Sequence, residues 1–202
     1  MITIVDYGMG NIGSMLNMFK RIGVKARVEI DPEAIQHADK LVLPGVGAFD
    51  AAMQRINNTP GLREVLQQKA LRECIPVLGV CLGMQLLTRG SEEGKLSGLG
   101  WIPGDTTRFP KGSGLKVPHM GWNIAQPRTP NMLTAEVGSE PRYYFVHSYC
   151  VHVDDSTFSL MRTSYGIDFD SAIGSDNIYG VQFHPEKSHR FGLQILKNFA
   201  GL

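Results

Sequence analysis

Cysteine is scarce in this chain. There are three, Cys74, Cys81 and Cys150, with no CxxC pair among them. A set that small and odd in number fits neither a disulfide framework nor a zinc knuckle, and it favours a reducing, cytoplasmic compartment. Long apolar runs are also missing. None approaches the ~18 residues of a membrane span and no basic leader precedes the first apolar stretch, so no membrane association is expected. Charge of one sign is lacking too: 20 Lys and Arg face 19 Asp and Glu, a net +1. That leaves no basic excess for a nucleic-acid partner, because affinity for a phosphate backbone comes from clustered Lys and Arg. What the chain does have is 43% hydrophobic residues, enough for a sizeable core, and 23 glycines that sit mostly at the ends of apolar runs. At 202 residues, a single domain over 1–202 is expected.

The first half alternates short apolar runs with amphipathic stretches. Residues 2–6, 24–30, 40–43 and 75–80 read as buried strands. Ile12, Met15, Leu16, Phe19 and Ile22 recur at helical spacing until Gly23, Asp31-Pro32 opens a short helix, and further helices start near Phe49 and cover 62–73. Apolar strands alternating with helices predict an α/β fold with a mostly parallel central sheet and helices on both faces. The second half changes character. Residues 106–109, 123–125, 143–153, 158–163 and 167–175 read as strands joined by turns, which predicts antiparallel additions to the sheet. One more strand, 179–184, precedes a closing helix striped by Phe191, Ile195, Phe199 and Leu202.

Two turns invite a chemical reading. The first, Gly8-x-Gly10-x-x-Gly13, follows a strand, opens a helix, and has Glu29 at the end of the second strand, as in a dinucleotide-binding module. Against that stands Asp6, whose carboxylate would sit beside the pyrophosphate and oppose the helix N-terminus. The alternative is a tight turn that needs glycine, with Asn11 at its surface free to meet a partner.

The second turn is Gly79-Val80-Cys81-Leu82-Gly83, a strand running into an amphipathic helix that carries Met84, Leu86 and Leu87. It is the cysteine form of the nucleophile elbow, in which glycines two residues either side allow close backbone approach. An elbow lifts the sulfur to the carboxyl end of the sheet, and the Leu82 amide faces a developing oxyanion. Cys74 and Cys150 lack this context and read as core. Gln85, one helical turn on, shares the sulfur's face or else faces solvent. Pro44-Gly45-Val46-Gly47 offers a second oxyanion amide.

A thiol nucleophile needs a base and a group to orient it. His37 and His189 read as solvated, and His147 and His152 as core or wall residues of a long strand. His184 ends a strand and precedes Pro185-Glu186. Proline holds His184 extended, and in extended chain Glu186 falls on the same face as the imidazole. A rim turn is the plainer reading of His184 alone. A metal site on His184, Glu186 and His189 fits no standard zinc spacing, so no metal or cofactor is expected.

With Cys81, His184 and Glu186 on the page, the chain resembles the class I glutamine amidotransferase family over nearly its whole length. Within that family it is most similar to the glutaminase subunits of imidazole glycerol phosphate synthases. The resemblance rests on Asp6-Tyr7-Gly8-Met9-Gly10-Asn11, Pro44-Gly45-Val46-Gly47, the 79–85 elbow and Gly98-Leu99-Gly100-Trp101-Ile102-Pro103-Gly104. It rests also on Val117-Pro118-His119-Met120-Gly121-Trp122-Asn123, Tyr144-Phe145-Val146-His147-Ser148-Tyr149 and Gln182-Phe183-His184-Pro185-Glu186-Lys187-Ser188. It implies hydrolysis of L-glutamine, with ammonia passed to a (β/α)8-barrel cyclase subunit in a histidine-biosynthetic heterodimer. It further implies Cys81 as nucleophile, His184 as acid and base, Glu186 as orienter, and the amides of Leu82 and Val46 as the oxyanion hole. Gly47, Gln85, Glu93 and Ser148 are implied for glutamine, and Asn11, Met120, Trp122 and Lys187 for the partner face. Read without the resemblance, Glu93 is a plain acidic loop residue, and Met120 and Trp122 are packing under a loop.

A related glutaminase feeding a sugar-modifying synthetase would share this chemistry. The glutaminases of pyridoxal phosphate synthesis resemble a Gly-Gly-Glu-Ser turn where this chain has Pro44-Gly45-Val46-Gly47. A cysteine protease or esterase on the same elbow would turn over esters without a glutamine pocket.

Overall fold

The computed structural model describes residues 1–110 and 114–202. Its parallel strands are β1 (Ile2–Val5), β2 (Ala26–Glu29), β3 (Lys40–Gly45), β4 (Val77–Cys81) and β12 (Ile178–Val181), in the order β2-β1-β3-β4-β12. Beyond β12 the sheet turns antiparallel through β11 (Ile167–Ser175), β10 (Ser159–Tyr165) and β7 (Gln126–Pro127). A branch of β9 (Tyr149–Val153) and β5 (Gly104–Arg108) completes ten strands. Separate from them, β6 (His119–Ile124) and β8 (Arg142–His147) form a two-stranded antiparallel ribbon.

Alternation along the strands sends side chains to two cores. Ile2, Ile4, Val42, Leu78 and Val80 join Met15, Met18 and Phe19 of α1 (Ile12–Arg21) and Ile195, Leu196 and Phe199 of α6 (His189–Gly201). Val5, Leu41, Leu43 and Val77 face the other way. They meet α2 (Pro32–Ile35), α3 (Phe49–Asn58), α4 (Leu62–Gln67) and α5 (Leu82–Leu86). Helices therefore cover both faces, and the central strands β1, β3, β4 and β12 are mostly apolar, while the edge strand β2 carries Arg27 and Glu29. No helix among the described residues is long and apolar enough to cross a membrane.

The structure departs from the sequence expectations at several elements. The strand expected over 143–153 is two strands, β8 and β9, in different sheets, with the chain crossing between them at Ser148. The strand expected over 179–184 ends at Val181, so His184 follows it instead of closing it. The helix expected over 62–73 keeps α geometry only to Gln67 and widens to a π-turn over Gln68–Arg72. Lys69 inside that turn is buried, its ammonium held by the Gln36 carbonyl at 2.9 Å and by Glu73. Cys74, expected in the core, is exposed, because the chain leaves the π-turn there with φ of +52°. Cys150 is buried as expected.

Candidate active site

Cys81 ends β4 and begins α5 with φ of +55° and ψ of −109°, a left-handed conformation costly for any side chain but glycine. The glycines around it are required by distance. A Cβ on Gly83 would lie 1.7 Å from the Leu43 carbonyl oxygen, and one on Gly79 would lie 2.5 Å from the Gly83 oxygen. The elbow therefore docks against β3 with no room for a methyl group. α5 is shorter than its apolar pattern suggests, five residues all buried, so it is not the amphipathic helix expected after the elbow.

His184 reaches the sulfur from beyond the end of β12, as the residue that opens the turn Pro185–Lys187. Its backbone N–H donates to the Tyr144 carbonyl at 2.9 Å, and its own carbonyl accepts from Ser188 Oγ at 2.6 Å. The same Ser188 oxygen accepts from the Tyr144 N–H at 2.9 Å, so a buried serine ties the histidine to β8. His184 Nδ1 lies 2.8 Å from Glu186 Oε1, with both side chains 4% exposed. The pairing arises differently from the expected extended i, i+2 geometry. Pro185–Lys187 is one 3-10 turn that folds Glu186 back onto the ring. Burial alone would lower the His184 pKa. Hydrogen bonds to Cys81 and Glu186, and the charges on both, overcome that and push it up to about 10. The imidazole thus sits between a sulfur and a carboxylate that both favour its protonated form.

These groups open into a cavity of about 320 Å³ at the carboxyl ends of β3, β4 and β12, lined also by Val46, Gly47, Gln85, Glu93, Ser148 and Lys187. Open α/β sheets bind ligands at this edge. Val46 is 45% exposed, and Gly47 turns the chain with φ of +104°. Glu93 sits at the start of α3, where its carboxylate accepts from the Phe49 N–H at 2.9 Å. Reciprocally, Asp50 of α3 accepts from the N–H groups of Lys95 at 2.9 Å and Leu96 at 3.0 Å. Gly94 lets this clasp close, since a Cβ there would stand 2.0 Å from the Asp50 oxygen. Gln85 is buried and does not face solvent; its Nε2 donates to Tyr149 O at 3.3 Å and to Gln182 Oε1 at 3.1 Å.

The four residues named for a partner lie outside the catalytic pair. Met120 and Trp122 are 61% and 48% exposed on the outer face of the β6–β8 ribbon, so packing beneath a loop does not describe them. Trp122 stacks on His189, and the Lys187 ammonium sits 5.7 Å from the Tyr144 ring centroid. Asn11 is exposed and caps α1, accepting from the Ser14 N–H at 3.3 Å.

Other candidates fall away from the cavity. The Gly8 amide in the first glycine turn already donates to Asp6 Oδ1 at 2.9 Å, and a Cβ on Gly8 would meet Arg55. His37 and His189 are exposed. Burial pushes the Cys150 thiol up to about 12, which leaves it inert at neutral pH. Among the described residues, no three His, Cys, Asp or Glu side chains gather as a metal site.

Two functional groups escaped the sequence reading. Gln182, fully buried, directs Nε2 at Cys81 Sγ at 3.7 Å. Its place two residues before His184 was the available signal. Buried His119 and His147 pair at 2.9 Å, with His147 in the cavity wall and His119 behind it, a contact that only the β6–β8 register reveals.

The sequence profile described as glutamine amidotransferase class-I matches residues 3–201. A Methanococcus maripaludis protein named imidazole glycerol phosphate synthase subunit HisH 2 is 50% identical over 199 residues, 98% of each chain. A Pseudomonas aeruginosa protein of the same name is 48% identical over 202 residues, the full length of both. Among solved structures, one titled as a glutamine amidotransferase superposes with a TM-score of 0.78 at 15% identity, covering 100% of this chain and 99% of its own, a likeness of fold.

Proposed function

The chain belongs to the class I glutamine amidotransferase family, and on that premise we propose that it is the glutaminase subunit of an imidazole glycerol phosphate synthase. It hydrolyses L-glutamine to glutamate and ammonia, and the ammonia passes to a (β/α)8-barrel cyclase partner in histidine biosynthesis. One domain, 1–202, does this in the reducing cytoplasm. The observation that carries the reading is Cys81 beside His184, with Glu186 behind the imidazole, in a cavity whose walls also hold Gln85, Glu93 and Ser148.

In this mechanism the Cys81 sulfur attacks the side-chain carboxamide carbon. A C–S bond forms and the carbonyl oxygen becomes an oxyanion, held by the backbone N–H groups of Leu82 and Val46. His184 gives its proton to the amide nitrogen, the C–N bond breaks and ammonia leaves. His184, now neutral, takes a proton from water as the water attacks the thioester carbon. The C–S bond then breaks, glutamate leaves, and the proton remains on the imidazole beside the sulfur. Glu186 keeps the ring in register throughout through its bond to Nδ1. Glu93 offers its second oxygen to the substrate ammonium, while Gly47 and Ser148 complete the pocket. Met120, Trp122, Lys187 and Asn11 form the partner face, with Lys187 spanning both that face and the cavity.

The test is labelling with a glutamine-shaped electrophile in the presence of the cyclase, read by peptide mass spectrometry with iodoacetamide as control. Label is expected on Cys81, suppressed by excess glutamine and absent from Cys74 and Cys150. Cys81→Ala is expected to lose at least about a thousandfold in glutamine hydrolysis. Label spread over all three cysteines, or hydrolysis retained without the sulfur, overturns the reading.

A further inference from the structure

One buried hydrogen-bond chain runs through the cavity wall, and each link fixes the next. The Tyr149 carbonyl, which can only accept, takes His147 Nδ1 at 2.7 Å and Gln85 Nε2 at 3.3 Å. His147 must therefore present an Nδ1–H. Burial pushes its pKa down to about 3, so at neutral pH that is its one ring proton and Nε2 is an acceptor. His119 Nδ1 lies 2.9 Å from this Nε2 and must supply the proton between them. Burial also pushes the His119 pKa down to about 4, and its Nε2 accepts from Asn123 Nδ2 at 3.3 Å. Both rings are thereby held as Nδ1–H tautomers.

On the other side of Tyr149, the amide of Gln85 has no freedom to flip. Its two N–H bonds go to the Tyr149 carbonyl and, at 3.1 Å, to Gln182 Oε1. Its carbonyl oxygen is the group left for the cavity that Gln85 lines. Gln182, accepting with its oxygen, turns its nitrogen to Cys81 Sγ. The orientation of Gln85 thus follows from a carbonyl that His147, in the wall of the same cavity, holds through its Nδ1–H.

We propose that His147, backed by His119, is a positioning residue for the glutamine reaction. Its Nδ1–H holds the Tyr149 carbonyl where that oxygen fixes Gln85 as an acceptor for an N–H of the substrate amino acid. The inference rests on the glutamine reading above and adds a determinant of substrate affinity. Its loss is read in KM more than in kcat, which a merely structural role would not separate.

The experiment has two arms. Long-range 15N–1H spectra of the unmodified chain at neutral pH are expected to show Nδ1–H tautomers for both His119 and His147; an Nε2–H tautomer on either ring overturns the inference with no variant needed. Steady-state kinetics with the cyclase present then compare His147→Asn, whose amide nitrogen stands near Nδ1, with His147→Gln, whose nitrogen stands near Nε2. His147→Asn is expected to keep the glutamine KM within about threefold. His147→Gln is expected to raise it by about tenfold or more, with kcat changed less. Equal behaviour of the two variants, or a loss confined to kcat, overturns the proposal. Absence of glutamine hydrolysis by the unmodified chain with its cyclase overturns the function itself, an outcome distinct from either.

Discussion

Cys81 stands at a strained positive φ between two glycines that touch other backbone, so the nucleophile and its geometry are one construction. Gly83→Ala tests this away from the sulfur. With Leu43 O only 1.7 Å from the added methyl, β3 and α5 must separate, and a loss of about 3 kcal/mol or more is expected in chemical denaturation. A near-neutral value would mean that the elbow does not depend on this close approach. This part of the site was legible in the sequence, because only a strand-to-helix turn with glycines two residues either side of a cysteine needs them for contact. His184 and Glu186 were legible for a neighbouring reason, the proline between them, although the 3-10 turn that joins them was not. Gln182 left one signal, its place two residues before His184, and the histidine pairing left none. Their partners lie 101 and 28 residues away in sequence, and which buried polar group meets which is decided by register.

Among elements, the β6–β8 ribbon does two jobs with its two faces. Its inner face carries His119 and His147, and its outer face carries Met120 and Trp122. Large exposed aromatic side chains are the usual anchors of an interface. Trp122→Ala is therefore expected to weaken cyclase binding by about tenfold or more in a calorimetric titration, with the isolated chain's melting temperature nearly unchanged. Unchanged affinity would remove this face from the interface. The ribbon was only half visible beforehand. Residues 143–153 look like one strand because β-branched and aromatic residues continue on both sides of Ser148, and periodicity carries no mark of a change of sheet. The π-turn after α4 was hidden in the same way, since Gln68, Lys69 and Leu71 are ordinary helix formers.

At the scale of the whole molecule, two apolar cores flank one sheet, and the sequence conveyed that much through its alternation of buried strands and amphipathic helices. The buried histidines give this body a definite response to acid. His119 and His147 titrate near 4 and 3 when folded, against 6.5 for a free imidazole. The unfolded chain therefore binds more protons between those limits, and the pair's contribution is complete above about 6.5 and lost as pH falls through the folded values. Urea midpoints are expected to drop between pH 6.5 and 4, and to drop less in His147→Asn, which removes one of the two groups. A flat acid limb in the unmodified chain would show that neither ring is held neutral.

The crossing of the chain at Ser148 divides the cavity between two bodies of unequal cooperativity. On one side, Cys81 ends a central strand of the ten-stranded sheet and Gln85 rides on the buried helix that follows it, a body whose core amides exchange only by global opening. On the other, Val146 and His147 belong to a ribbon of two strands, a unit of marginal stability by itself. Hydrogen exchange should therefore find a step in opening free energy within a few residues, with the amides of 143–147 exchanging well before those of 77–81. A partner that docks on the ribbon then needs to overcome only a sub-global free energy to rebuild one wall of the cavity, while the nucleophile stays in its native frame.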